Sequence, residues 1–471
     1  MASVSIPFYD DGSARERATF HIYRTQTIES ISGSFDRDFW DISVAQSMKS
    51  YEAVWHAALA VAALYERSRI NCGTELAAFF RDRYYETALC QYGKSIRSLN
   101  ETISRKALTA SDKEAILTTN ALYTAICNLQ GDTRAANIHV SNGIRLFRLW
   151  RIWAAAQPSK GEGTAGPNPF MAIFYRFIGF QMYTGNLTSS EAHEMPELAE
   201  LAGSQQLGTT RLAQDMAAYY EIHAIFISTL SRLVGTKGST KPTKNEEPFQ
   251  EPQADLLYDS RCAFTHWKTK YSRLMAAFDR TSSFYVLSLQ ARVIGTEILL
   301  KVDPKGLGKN WETLTHLLLK GIDVSEQLLT LEKEAVNNEG KDFDSPVLSF
   351  AASACDLLFV VGLAGRDREI AFNALSLLKT WPRKDKTWTT ALGVQILQAR
   401  LDVEDTGSTR YACKLLPTPG GECIPGGYVC TAHRVSQSTV QFTGNREGLL
   451  AVKTVAEEYL KLPGTTMRIS W

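Results

Sequence analysis

Apolar residues in the first third of the chain recur about every three or four positions, which is the spacing of one face of an α-helix. A helix with this spacing can bury its apolar face while the opposite face meets solvent. One such series consists of Phe80, Tyr84, Ala88, Tyr92, Ile96 and Leu99. The series predicts a long amphipathic helix whose apolar face packs into a core.

The segments that follow carry the start and stop signals of a helical hairpin. Ser111-Asp-Lys-Glu114 has the spacing of a capping box, in which a serine hydroxyl and a glutamate carboxylate bind the free amides of a helix start. Gly131 is expected to end this helix, because glycine adopts the left-handed conformation without steric cost. Asp132 is expected to cap the next helix. Together these residues predict an αα-hairpin.

The remainder of the chain is also mainly helical in pattern until its last part. Helical periodicity resumes at residues 205–234, 256–302, 308–336, 346–363, 366–380 and 386–402. Alternating and β-branched residues from Tyr428 to Phe442 predict a short hairpin, and Glu447 to Lys461 is expected to form a last helix. The predicted fold is mainly α, a multi-helix bundle of αα-hairpins with a small β-hairpin near the C-terminus.

We expect a short N-terminal segment, residues 1–18, followed by one helical domain over residues 19–462. Two stretches inside this domain, residues 157–168 and 235–253, lack periodicity and are rich in Gly, Pro, Lys and Glu. Such composition is typical of exposed, mobile loops. Helical patterns continue on both sides of each loop, so neither loop is expected to be a domain boundary.

Composition excludes several classes of protein. With 44% hydrophobic and 10% aromatic residues in 471, the chain is too apolar to be disordered. A net charge of +1 gives no electrostatic footprint for nucleic acid. The longest apolar run, Leu357 to Ala364, is far shorter than the roughly 20 residues of a membrane span. The N-terminus lacks the pattern of a signal peptide, and the scattered cysteines indicate reduced thiols in the cytosol or nucleus.

A set of sequence blocks resembles the fungal-specific transcription factor domain, the helical regulatory half of binuclear zinc-cluster activators. The acidic, aromatic block ends in Phe39-Trp40, and a helix containing His56-Ala57 follows it. The further blocks are Leu129-Gln130-Gly131-Asp132 with His139 and Gly143, Arg366 to Leu375, and Trp381 to Trp388. The blocks match as an ensemble, since each alone is degenerate. Phe39 and Trp40 are expected to be buried anchors against the first helix hairpin.

The resemblance implies a role in transcription regulation and a nuclear location, with the cytoplasm as a second location. The resemblance begins within a few dozen residues of Met1, so we expect no zinc cluster before it; a cluster encoded by a missing upstream exon is the alternative. None of the eight cysteines stands at C-x-x-C spacing. Direct binding to nucleic acid is therefore not expected. The implied partner is a protein, such as a zinc-cluster activator, or a small apolar effector that controls a metabolic gene set.

A different class of function stays open beside regulation. Charged residues that are common in the family are replaced here by Cys127-Asn128 and Ala371-Phe372. A helical scaffold diverted to another use would explain these changes, and the alternative is a cofactor-independent cyclase or isomerase of fungal specialised metabolism. Its pocket candidates are Tyr123, Gln130 and His139. Such catalysis can rest on orientation and preorganised polar groups, so neither hypothesis calls for a cofactor.

Four metal-ligand side chains stand near the C-terminus. Cys413, Cys423, Cys430 and His433 are separated by nine, six and two residues. Structural zinc sites usually take a tight pair of ligands from one turn, and only Cys430 and His433 have that spacing. On the predicted strand these two side chains would point to opposite faces. We therefore expect free thiols in a loop and no metal.

Overall fold

The computed structural model describes residues 12–32, 35–70, 73–152, 169–186, 211–235, 257–276, 283–302, 311–338, 354–380, 390–407, 412–416 and 421–471. Over these residues the chain is mainly α-helical with a small antiparallel sheet near the C-terminus. The predicted fold class is confirmed. The expected mobile loop at 157–168 lies outside the described residues, as do residues 236–253 of the second loop and the block from Trp381 to Trp388.

Short helices form the N-terminal part of the fold. They are α1 (Ala14–Ile22), a π-helical stretch (Tyr23–Thr27), α2 (Ile28–Ile31), a second π-helical stretch (Phe39–Ser43) and α3 (Val44–Met48). A complete capping box between Ser13 and Glu16 starts α1. Phe39 and Trp40 are fully buried. Phe39 packs edge-on against Phe170, with ring centroids 5.3 Å apart, and the Trp40 indole donates to the Asp36 carboxylate at 3.2 Å.

The next four helices form the packed centre of this half. They are α4 (Glu52–Arg69), α5 (Glu75–Ile103), α6 (Ala110–Gln130) and α7 (Thr133–Trp150). Every residue from 57 to 63 in α4 is fully buried. Five of these seven residues are alanine, so the neighbouring helices α5 and α6 approach α4 closely. The central position of α4 follows from this run of small apolar side chains.

The hairpin of α6 and α7 confirms two predicted ends and corrects one. Gly131 ends α6 in the left-handed conformation with φ of 82°, and Asp132 accepts a bond from the amide of Ala135. The capping box lies two residues earlier than predicted: Thr109 and Asp112 form it, and α6 begins at Ala110. The sequence Thr-Ala-Ser-Asp offers two hydroxyl residues, and the Asp112 carboxylate, which also accepts from the Tyr51 hydroxyl at 3.0 Å, pairs with the first.

The predicted apolar face of α5 is only partly buried. Ala88 is fully buried, and Tyr84, Tyr92 and Leu99 pack against the core. Phe80 and Ile96 are 45% and 38% exposed. The helix packs mainly against α4, so only the side chains nearest to that contact are covered.

A second group of helices completes the described body. They are α8 (Phe170–Tyr183), α9 (Arg211–Gly235), α10 (Tyr258–Lys270), α11 (Ser272–Met275), α12 (Phe284–Lys301), α13 (Trp311–Asn338), α14 (Ala354–Ala364), α15 (Arg368–Thr380) and α16 (Thr390–Gly407). Helices α12 and α14 are apolar on nearly all sides and buried along most of their length. A helix of this kind belongs in the interior of a bundle.

The C-terminal segment forms a three-stranded antiparallel sheet in the order β1-β2-β3. It consists of a 3₁₀ turn (Cys413–Leu415), β1 (Val435–Gly444), β2 (Glu447–Thr454), α17 (Val455–Tyr459) and β3 (Thr465–Ser470). The hairpin therefore starts later than the predicted Tyr428. The helix predicted from Glu447 to Lys461 is wrong over β2, because burial there alternates with the period of a strand.

The sheet packs on the helical body through its first strand and its first turn. The Val440 amide donates to the Thr184 carbonyl at 2.9 Å, and the Thr133 hydroxyl donates to the Gly444 carbonyl at 3.0 Å. Val440 and Leu450, which are partners across β1 and β2, are fully buried beneath the sheet. Among the described helices, none is both long enough and apolar enough to cross a membrane.

Candidate metal centre

Three thiols and one imidazole converge beside the sheet. The ligand atoms of Cys413, Cys423, Cys430 and His433 all lie within 4.8 Å of one another. The His433 Nδ1 atom is 3.2 Å from the Sγ atoms of Cys423 and Cys430. It is 3.7 Å from the Sγ atom of Cys413. The three sulfurs therefore surround one ring nitrogen.

A tight turn brings the second and third cysteines together. The Gly427 amide donates to the Ile424 carbonyl at 2.9 Å, and the Ile424 amide donates to the Tyr428 carbonyl at 2.9 Å. Gly426 takes a φ of 70°, a conformation that glycine adopts without penalty in the third position of a type II turn, after proline. The sequence Ile-Pro-Gly-Gly thus folds the chain back between Cys423 and Cys430.

Backbone amides point at the sulfur atoms. The Cys423 amide donates to the Cys413 sulfur at 3.5 Å, and the Cys430 amide donates to the Cys423 sulfur at 3.3 Å. These bonds favour negative charge on sulfur, and a thiolate is the form that binds metal. The backbone therefore brings the cysteines together and also stabilises their thiolate forms.

The ligand segment is fixed to the helical body on one side and to the sheet on the other. The Arg368 amide donates to the Gly427 carbonyl at 2.8 Å, and the Val429 amide donates to the Arg366 carbonyl at 3.3 Å. The Ala456 amide of α17 donates to the Ala432 carbonyl at 2.9 Å. Residues that lie far apart in sequence thus hold the four ligands in place.

The separations fit tetrahedral zinc. Bonds of about 2.3 Å from zinc to sulfur and about 2.0 Å from zinc to nitrogen place sulfur and nitrogen roughly 3.5 Å apart at tetrahedral angles. The observed sulfur–nitrogen distances are 3.2, 3.2 and 3.7 Å. Cys430 and His433 are fully buried, while Cys413 and Cys423 are partly exposed. The partly exposed pair leaves a route by which a metal ion can reach the site.

Ionisation of the buried thiols at this site depends on a bound cation. Burial raises the pKa of the Cys423 thiol to about 12, and burial also raises the pKa of the Cys430 thiol. Three thiolates so close together repel one another, and Zn²⁺ offsets that repulsion directly. Soft thiolates with one imidazole are a donor set that zinc prefers.

The expectation that Cys430 and His433 diverge is wrong, since residues 431–433 form a turn and β1 begins only at Val435. Both side chains therefore face the same side. The Pro-Gly-Gly turn between Cys423 and Cys430 was the sequence feature that could have predicted the site. This turn brings the two thiols close together although six residues separate them.

Two of the three pocket candidates, Tyr123 and His139, contact each other. Tyr123 is buried and its hydroxyl lies 2.9 Å from the Ser95 hydroxyl, which itself donates to the Ala53 carbonyl at 2.6 Å. The His139 ring packs edge-on against Tyr123, with centroids 5.5 Å apart. Burial raises the pKa of Tyr123 and lowers the pKa of His139. These two side chains meet as packed neighbours between helices.

Gln130 lies at the end of α6, where the sheet docks. The next residue, Gly131, faces the Arg446 side chain, which approaches within 3.8 Å of the position of a Cβ atom. The Arg446 amide donates to the Thr133 hydroxyl at 3.3 Å. The Gln130 corner is therefore a contact between the helix hairpin and the turn joining β1 to β2.

The four positions at which the resembling family commonly carries charge are mostly interior. Cys127, Asn128 and Ala371 are buried, and Phe372 is 42% exposed. An ionised side chain in an apolar interior is costly. Uncharged residues therefore suit the packing at three of these four positions.

Sequence reasoning did not identify the buried group of charges formed by Arg176, Arg292 and Asp356. These residues lie on α8, α12 and α14, and more than sixty residues separate each from the next. Neither spacing nor periodicity connects them.

No known protein family, no curated protein and no solved structure matches this chain. The family resemblance consequently rests on the sequence blocks.

Proposed function

We propose that this protein is a zinc-stabilised, transcription factor-like regulatory protein that acts through protein partners. The observation that carries the metal part is the convergence of Cys413, Cys423, Cys430 and His433 on one point. The resemblance to the fungal-specific transcription factor domain carries the regulatory part.

The centre suits a structural zinc ion. Structural zinc sites use four protein ligands, whereas catalytic sites keep one position for water or substrate. Four protein ligands are present here, and two of them are fully buried. The metal would join the turn-rich segment to the start of β1 and so hold the sheet against the body.

The packing of the family blocks supports a role as a regulatory scaffold. Phe39 and Trp40 are fully buried, and α4, the helix that contains His56, lies in the centre of the first half. Helix α5 leaves Phe79 and Leu89 exposed at 56% and 44%. Exposed apolar side chains on one helix are a common feature of protein interaction surfaces, and a zinc-cluster activator is the partner that the resemblance implies.

A regulator of this kind would work in the nucleus and would depend on its partner for contact with DNA. The net charge of +1 provides little attraction to phosphates. The Cys3His centre also differs from a binuclear cluster, because its four ligands suffice for one zinc ion.

The test is deletion of the gene in its native host, with transcripts and metabolites followed together. We expect altered transcript levels for a set of metabolic genes, restored by the wild-type gene and by Cys262→Ser, which changes an exposed cysteine away from the centre. Cys430→Ser should fail to restore them. Unchanged transcripts with one accumulating precursor would instead identify an enzyme, and would reject the regulatory proposal.

A further inference from the structure

A buried cluster of charged side chains lies at the junction of α8, α12 and α14. Arg176, Arg292 and Asp356 are 9%, 6% and 8% exposed. Arg292 Nη2 donates to Asp356 Oδ2 at 3.0 Å, and Arg176 Nη1 donates to the same oxygen. Two guanidinium groups therefore share one carboxylate oxygen.

The cluster has an excess of positive charge. Two arginines and one aspartate sum to +1. Burial alone would lower the pKa of both guanidinium groups, but Asp356 raises the pKa of Arg176, and Tyr219 together with Asp356 raises the pKa of Arg292, so both groups stay protonated. His223 adds no charge, because burial and the two arginines lower its pKa well below the ordinary value. Burial likewise raises the pKa of Tyr183, so its hydroxyl stays neutral.

An uncompensated charge in a protein interior is costly, since low-dielectric surroundings replace water poorly. The aromatic ring of Phe226 offers partial compensation, because the Arg292 guanidinium carbon lies 4.5 Å from its centroid. A cation–π contact of this kind is weaker than pairing with an anion. Counted over the described residues, the fold therefore tolerates here a positive charge that an anion would neutralise.

One polar atom near the cluster, His223 Nδ1, has no hydrogen-bond partner within the described residues. His223 is 3% exposed, and its ring stacks on Phe226 with centroids 6.3 Å apart. Buried polar groups are normally paired, so this nitrogen indicates a site arranged for more than internal packing.

A small, partly open recess reaches the cluster. It is lined by Arg292 and Asp356 together with Phe226, Ser288 and Leu357. Its volume of about 10 Å³ is close to that of one water molecule. The recess therefore takes one water-sized group, and a halide, or a carboxylate with one oxygen toward Arg292, would lie partly in its open mouth.

We propose that this recess binds a small monovalent anion, held by Arg292 with Arg176 behind it. The charge of the cluster indicates the class of ligand, since one negative charge balances it. Size sets the limit, because a phosphate or sulfate ion exceeds the recess. A halide and the carboxylate of a small acid share the required chemistry, and the experiment separates them.

The experiment measures thermal unfolding at constant ionic strength, with sodium gluconate replaced stepwise by sodium chloride or by sodium acetate. Gluconate serves as the reference because it is too bulky for the recess. The wild-type protein should show a saturable rise in Tm of about 2–4 °C. A rise with chloride alone indicates a halide site, and a rise with acetate as well indicates a carboxylate site.

Variants decide whether the effect belongs to this cluster. Arg176→Gln leaves a neutral Arg292–Asp356 pair, so the anion-dependent rise should disappear. Asp356→Asn increases the excess charge, so the rise should grow. Arg97→Gln, a change on the exposed face of α5, is the matched control and should keep the wild-type response. An absent rise in the wild-type protein, or an equal rise in the wild type and Arg176→Gln, would overturn the proposal. If Arg176→Gln does not fold, chloride-35 NMR line broadening of the wild type against Asp356→Asn gives the same decision.

Discussion

The helices from α4 to α7 and the segment that carries the four metal ligands (residues 412–416 and 421–434) are held together in different ways. Residues 57–63 are all fully buried, and the surrounding apolar side chains belong to one continuous core. Beside the ligand segment, the buried apolar cluster contains only Tyr428, Cys430, Ala432 and Ala456 within the part of the chain that the structure describes. Hydrophobic burial is ample in the first region and scarce in the second.

The two regions are therefore expected to be stabilised by different interactions. A continuous core needs no ligand, because each buried side chain contributes about 1.5–3 kcal/mol. A small apolar cluster under a turn-rich loop cannot offset the entropy of ordering that loop. Convergent metal ligands are the usual solution in small, loop-rich segments. We therefore expect the metal to matter for the segment that carries the four ligands and hardly at all for α4 to α7.

Loss of the metal should give the largest effect. Structural zinc contributes about 10–16 kcal/mol of binding free energy in isolated zinc-finger peptides, so chelation or Cys430→Ser should remove several kcal/mol of local stability. Hydrogen exchange should speed up from residue 421 to 434 while the amides of α4 and α6 stay protected. Cys262→Ser is the control and should leave both regions unchanged. Equal loss of protection in both regions would contradict the comparison.

Trp40→Ala tests the first region in the same terms. Trp40 is fully buried, so truncation should lower the free energy of unfolding by about 3–5 kcal/mol. Urea denaturation provides the measurement. Tyr258→Ala, at a side chain that is 62% exposed, should change it by less than about 0.5 kcal/mol. A similar midpoint for both variants would show that Trp40 is not an anchor.

The start of α6 provides a smaller test. Thr109→Ala removes the hydroxyl that accepts from the Asp112 amide and should cost about 1 kcal/mol. Ser111→Ala, the matched change at the residue first predicted to be the cap, should leave stability close to the wild type. Chemical denaturation of the pair compares them directly. A larger loss of stability for Ser111→Ala than for Thr109→Ala would show that Ser111 caps the helix.

The smallest effect concerns pH. Burial alone would raise the pKa of Glu16, but hydrogen bonds from Gln91 and Lys94 outweigh it and lower this pKa from 4.5 to about 2. The ionised carboxylate therefore stabilises the fold above pH 4.5, and this contribution is lost as pH falls toward 2. Between pH 6 and pH 3 the wild type should lose slightly more stability than Glu16→Gln. Parallel losses would show that the carboxylate is unperturbed.

Local signals in the sequence predicted the parts of the fold that depend on local physics. Gly131 and Asp132 mark helix ends because their own conformations decide those ends. The mistaken helix over β2 has the opposite cause: Leu449 and Leu450 suit either a helix or a strand, and pairing with β1 and β3 decides the outcome. A single sequence does not contain that pairing.

The candidate site was harder to predict for a related reason. The intervals between Cys413, Cys423 and Cys430 exceed the usual zinc spacing, and only the turn at Gly426 reveals that the thiols meet. Arg176, Arg292 and Asp356 lie on three separate helices, so only the packed bundle brings them together. Residues joined by tertiary contacts alone leave no periodic signal.

The most direct test of the metal centre is the metal content and X-ray absorption of the purified protein. We expect one zinc ion per chain, bound by three sulfur atoms at about 2.3 Å and one nitrogen atom at about 2.0 Å, and no zinc in Cys430→Ser. The metal centre would be rejected if the wild-type protein had three reactive thiols at Cys413, Cys423 and Cys430 and took up no zinc when zinc is supplied.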